Sequence, residues 1–157
     1  MTAIRLAKEF DLDLILIHAT EGYKIADILA EEGIPCIPGP VLISRMKYEL
    51  RELSTKNAAL LSKAGVKVAI QTDQFSAVRH IRLDAAVAIN EGMTDDEALR
   101  AITLTPAEML KVDDRVGSIA VGKDADLVVL SAHPFDVAHS RVERVLIEGE
   151  VVFEKGE

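Results

Sequence analysis

His18 is the residue in this chain whose position most invites chemistry. It closes an apolar run, Leu14-Ile15-Leu16-Ile17, and a small polar stretch, Ala19-Thr20-Glu21-Gly22, follows it. An imidazole at the end of a core strand either packs there as a satisfied polar residue or serves as a metal or catalytic ligand. Asp73 closes a second such run, in which Val66, Val68, Ala69 and Ile70 lead to Thr72-Asp73. By itself it reads as the cap of a turn. Arg45 falls in the loop after the second strand, where a guanidinium can hold a substrate carboxylate or stand as a surface cation. The other histidines, His80, His133 and His139, fall in loops and turns. Cys36 lies inside a predicted strand and reads as core.

The elements that must position these residues follow from periodicity. Ile4, Leu6, Ala7 and Phe10 recur at helical spacing, which predicts a helix over 2–10. A strand over 12–18 follows, buried on both faces. A helix over 23–32 carries Ile25, Ala26, Ile28 and Leu29 on one stripe, with Gly33 as its stop. A short strand spans 34–38, short helices span 47–53 and 57–64 with Ser54 as a cap of the second, and a third strand spans 66–71. Three short apolar strands separated by helices are the pattern of a parallel sheet covered by helices. A helix over 84–91 comes next. Two capping boxes are then expected, Thr94 with Glu97 and Thr105 with Glu108. The tail is β: a strand over 126–130 and a hairpin of 142–147 with 151–154 across Glu148-Gly149-Glu150.

Composition narrows the setting. The formal net charge is −8 and hydrophobic residues make up 49%, a globular composition with no basic stripe for nucleic acid. One cysteine among 157 residues excludes an internal disulfide and fits a reducing, cytoplasmic compartment. No apolar run approaches the roughly 18 residues of a membrane span.

The stretch from Thr105 to Pro134 resembles the C-terminal signature of the amidohydrolase superfamily. Gly117, Ile119, Gly122, Ala125, Asp126, Leu127, Val128 and Val129 meet its G-x-I-x-x-G-x-x-A-D-L-V-V pattern. The stretch LILIHATEGYKIADILAEEGIPCIPGP with GVKVAIQTD is similar to the imidazolonepropionase-like and prolidase-like branch. In that branch strand six ends in H-G-T-E and strand eight in G-T-D. Ala19 and Gln71 depart from the two glycines, whereas His18 and Asp73 match.

The resemblance implies an α/β fold: part of a (β/α)8 barrel, about three β/α units corresponding to strands six to eight, with a small C-terminal β-sandwich piece. Residues 1–112 would form the barrel part and 113–157 the β part. Whole barrels take about 250 residues, and the H-x-H of strand one has no counterpart here. The resemblance also implies hydrolysis of a C–N bond in a cyclic amide or dipeptide-like small molecule, with a divalent metal, zinc first, activating water. Asp73 would be metal ligand and general base, and His18 metal ligand or electrophile. Glu21 and Tyr23 lie on the side where the family holds substrate. A zinc site takes three or four protein ligands, and two are matched here. Three parallel strands would leave two open edges and an apolar face. Those features call for a homo-oligomer, or for an N-terminal portion that lies outside the chain. A catalytically incomplete remnant that folds by association is the alternative.

Overall fold

A computed structural model gives the fold, and residues 1–43, 45, 47–73 and 77–156 are described. Helix α1 (Thr2–Glu9) turns Ile4 and Ala7 inward. Strands β1 (Leu16–His18) and β2 (Cys36–Pro38) pair in parallel, with His18 opposite Pro38. They are joined through a 3₁₀ turn over Gly22–Ile25 and helix α2 (Ala26–Glu31). Helix α3 (Asn57–Lys63) leads to residues 66–71. This third segment lies along β2: Cys36 bridges Val68 in parallel, the Cys36 N–H donates to the Lys67 carbonyl at 2.9 Å, and the Ala69 N–H donates to the Cys36 carbonyl at 3.0 Å. Helices α4 (Ile81–Asn90), α5 (Asp95–Ala101) and α6 (Leu104–Met109) complete the helical part. The core lies between strands and helices and draws on Leu29, Cys36, Leu61, Val68, Ala85 and Ala98.

Several expectations change. The strand expected over 12–18 shortens to Leu16–His18, because its ladder runs only where β2 stands opposite. Nor is it buried on both faces. Leu14 and Leu16 pack against the core while Ile17 is 58% exposed, since alternate side chains point to opposite faces and helices cover one of them. Burial on both faces belongs instead to the third segment, where the adjacent Val68, Ala69 and Ile70 are all buried. The helix expected over 47–53 is a 3₁₀ turn, Tyr48–Leu50. Leu53 is the buried residue there and Tyr48 is exposed, and so short a segment needs a buried face to propagate as α-helix.

The first capping box forms as expected. Thr94 Oγ1 accepts from the Glu97 N–H, and the Glu97 carboxylate accepts from the Thr94 N–H at 2.7 Å. The second does not. Helix α6 starts at Leu104, which leaves Thr105 buried within its first turn. Glu108 pairs instead with Lys67 and Arg100.

The tail is an antiparallel sheet of β3 (Leu127–Leu130), β4 (Val142–Ile147) and β5 (Glu150–Glu154), in that order. Glu148 and Gly149 both take positive φ at the hairpin, as a two-residue turn between twisted strands requires. The three strands form one layer, with Val128, Val129, Val152 and Phe153 exposed. It is moored to the helical part by Arg82, which donates to the Pro134 carbonyl and Ser140 Oγ at 3.2 and 3.0 Å.

Hydrogen bonds from the Thr94 backbone and hydroxyl, then from the Ser62 hydroxyl, hold the Glu97 carboxyl below the usual carboxylate range. Its folded pKa is thus lower than its unfolded one. The stabilisation is complete above the unfolded value and disappears as pH falls through the folded one. Thr94→Ala is expected to cost about 1 kcal/mol. Urea unfolding across acidic pH checks both the loss and its pH dependence.

Candidate active site

The parallel register puts the C-terminal ends of β1, β2 and the 66–71 segment at one level. There stand His18, Gly39 and Asp73. Catalytic residues of parallel α/β folds collect at this end, where loops leave the sheet. His18 and Asp73 both adopt positive φ, 67° and 46°. That is uncommon for residues with a Cβ and marks the point where each chain turns out of its strand.

The two side chains predicted as a pair come together. His18 Nε2 lies 3.7 Å from Asp73 Oδ2, with both side chains about half exposed. This exceeds hydrogen-bond length, so the two atoms face a shared space. The other ring nitrogen is committed: His18 Nδ1 lies 2.9 Å from the Gly39 carbonyl oxygen. A carbonyl only accepts, so Nδ1 is the donor, and in the neutral ring the lone pair falls on Nε2. Gly39 has φ +111°, and a Cβ there would sit 3.1 Å from the Gln71 carbonyl oxygen.

The remaining candidates are engaged elsewhere. Glu21 pairs with Lys24 at 3.0 Å. Tyr23 Oη donates to the Glu52 carbonyl at 3.2 Å, and Arg45 Nη2 donates to the Leu53 carbonyl at 2.6 Å. Among the described residues no hydrogen bond joins any of the three to His18 or Asp73. His133 pairs with Asp95 and His139 with Asp136. Cys36 is core, its thiol pushed up to about 11 by burial.

Three residues of the site escaped the sequence reading. Asn57 is buried; its Nδ2 donates to the Ala19 carbonyl at 2.8 Å and its Oδ1 accepts from the Tyr23 N–H at 2.9 Å. It pins the loop that follows His18. A lone amide at the head of the apolar run Ala58-Ala59-Leu60-Leu61 was the available signal. Gln71 Nε2 donates to the Gly39 and Ile37 carbonyls at 3.0 and 3.3 Å. Asp84 lines a small cavity with Gly39, Val41 and Gln71. It is buried, and burial pushes its carboxyl above the usual range, against the opposing pull of the Val41 N–H.

The model of the amidohydrolase family matches residues 7–152, and the chain belongs to that family. A solved amidohydrolase from Thermotoga maritima superposes with a TM-score of 0.91 at 45% identity, covering 98% of this chain and 40% of that one. Among curated relatives, "Amidohydrolase tasK" of Hapsidospora irregularis is 36% identical across 87% of this chain, and an imidazolonepropionase of Thermoplasma acidophilum is 33% identical across 70%. This chain spans 14% and 26% of the lengths of those two relatives. The neighbours imply a TIM-barrel-type fold, and the structure of this chain is α/β.

Members of this family generally use divalent metals, and the donor set can be tested against one. His18 presents Nε2 while its other ring nitrogen is held by a carbonyl, the usual arrangement for a metal-binding histidine. Two atoms each about 2.0–2.2 Å from a zinc ion can be up to about 4 Å apart, and Nε2 and Oδ2 fall within that span. The pair therefore fits as two ligands. Among the described residues no third His, Cys, Asp or Glu is grouped with them. Gly39→Ala is expected to cost about 1–3 kcal/mol, through strain at positive φ and crowding against Gln71. Urea unfolding measures it.

Proposed function

We propose that the chain supplies part of the catalytic centre of a metal-dependent amidohydrolase. Its substrate would be a small cyclic amide or dipeptide-like molecule, its reaction hydrolysis of a C–N bond, and its metal zinc. The observation that carries this reading is the convergence of His18 Nε2 and Asp73 Oδ2 on one space at the ends of parallel strands. His18 and Asp73 would hold the ion, and the remaining ligands would come from outside these 157 residues. The bound metal supplies an acidified water and a polarised carbonyl. Asp73 takes the proton of the attacking water on its carboxylate and returns it to the leaving nitrogen as the C–O bond forms and the C–N bond breaks. His18 keeps Nε2 aimed at the reacting group because Nδ1 is tied to Gly39. Glu21, Tyr23 and Arg45 would border the substrate through the loops they hold. Residues 1–112 are proposed as the partial barrel, strands six to eight, and 113–157 as a β subdomain, in a cytoplasmic protein.

A second reading rests on a different observation. Ile17, Leu42, Val128, Val152 and Phe153 are exposed, and among the described residues β1 pairs with β2 alone. Apolar surface and a free strand edge favour association, so a catalytically incomplete chain would be stable as an oligomer.

Elemental analysis for Zn, Fe, Mn and Ni, with assays of dipeptides and cyclic amides before and after metal addition, separates the two. Together with the polypeptide that supplies the remaining ligands, the catalytic reading expects stoichiometric metal and a turnover that Asp73→Asn lowers by about 10²–10⁴-fold. A metal-free, inactive preparation carries the second reading instead. Light scattering is expected to find more than one copy per particle; a monodisperse monomer would remove the association argument.

A further inference from the structure

The loop carbonyl that orients His18 is itself held, and the residue holding it is one where this chain departs from the resembled motif. Gly39 oxygen has two lone pairs and takes two donors, His18 Nδ1 at 2.9 Å and Gln71 Nε2 at 3.0 Å. The Gln71 amino group also reaches the Ile37 carbonyl at 3.3 Å. Two carbonyl oxygens around one end of a carboxamide fix its orientation, because only the NH₂ end can donate. Both amide protons are then committed. His18 Nδ1, 3.4 Å from the same nitrogen, has no proton to accept from Gln71 and must donate to Gly39 instead. The backbone around Gly39 has little intrinsic preference for this arrangement, since a glycine at φ +111° is free to move.

We propose that Gln71 is a positioning residue: its side-chain amide clamps the Gly39 and Ile37 carbonyls so that His18 is held with its proton on Nδ1 and its lone pair on Nε2. The functional weight of that lone pair rests on the reading of His18 as a ligand, but the clamp does not. A glycine at position 71, as in the resembled G-T-D motif, would have no amide with which to do this. The chain would have to hold the Gly39 carbonyl in another way.

Ring-nitrogen NMR of the full 157-residue chain tests the proposal without metal or substrate, with His18 assigned by the signals lost in His18→Gln. Above the titration range, His18 is expected in the Nδ1–H form. In Gln71→Leu, which keeps the bulk and removes the donor, the ratio of Nδ1–H to Nε2–H is expected to fall about fivefold or more, the value of one net hydrogen bond. Gln71→Asn, Gln71→Met and Gln71→Gly give further folded backgrounds, each checked by amide dispersion. Of these, Gln71→Asn retains a donor and is expected to fall least. An unchanged tautomer ratio in the folded variants that lack the amide, or a wild-type His18 found as Nε2–H, would overturn the clamp. Absence of metal and turnover in the assays above, with the tautomer shift intact, would overturn the catalytic reading and leave the clamp standing.

Discussion

The site depends on the parallel register of three extended segments. With His18 opposite Pro38 and Cys36 bridged to Val68, the chain leaves the sheet at one level three times. A slip of one residue would turn alternate side chains to the opposite face. Leu14 and Leu16 would leave the core. The register is therefore held by apolar burial far from the polar end. Burial of Leu29, Cys36, Leu61 and Val68 fixes where His18 and Asp73 meet.

Around that frame, short-range hydrogen bonds do the finer placement. Asn57 holds the loop after His18, and Gln71 and Gly39 hold the ring. Both site residues sit at positive φ, a conformation that costs energy and persists only where the surroundings over-determine it. Here the surroundings are the buried Asn57 amide, the half-buried Gln71 amide and a glycine carbonyl. Such bonds keep their strength across pH and salt better than exposed charges do. The charged groups nearby, Glu21 with Lys24 and Glu52, lie at the surface and shape the rim.

The second sheet contributes differently. Its hairpin turn and antiparallel register are set locally, by Glu148-Gly149 and by Asp126 accepting from the Glu148 N–H. It meets the helical part through Arg82, Phe135 and Ser140. Its exposed valines and Phe153 give it an open apolar surface.

Much was legible in the residues themselves. The helices 2–10, 57–64 and 84–91, the Thr94–Glu97 cap and the hairpin after Ile147 depend on neighbours within a few positions, and local patterning specifies them. His18 and Asp73 were visible because each interrupts an apolar run, and the fixed spacing from Gly117 to Val129 carried the family. Other features needed the folded chain. The strand 12–18 and the helix 47–53 were overestimated because their lengths depend on a partner strand or a buried face. The Thr105–Glu108 cap gave way to cations at Lys67 and Arg100, distant in sequence for the first. That His18 and Asp73 share one space, and that Asn57, Gln71 and Gly39 orient them, only tertiary structure decided. A hydrogen bond across 21 to 53 residues leaves no periodicity for a sequence to display.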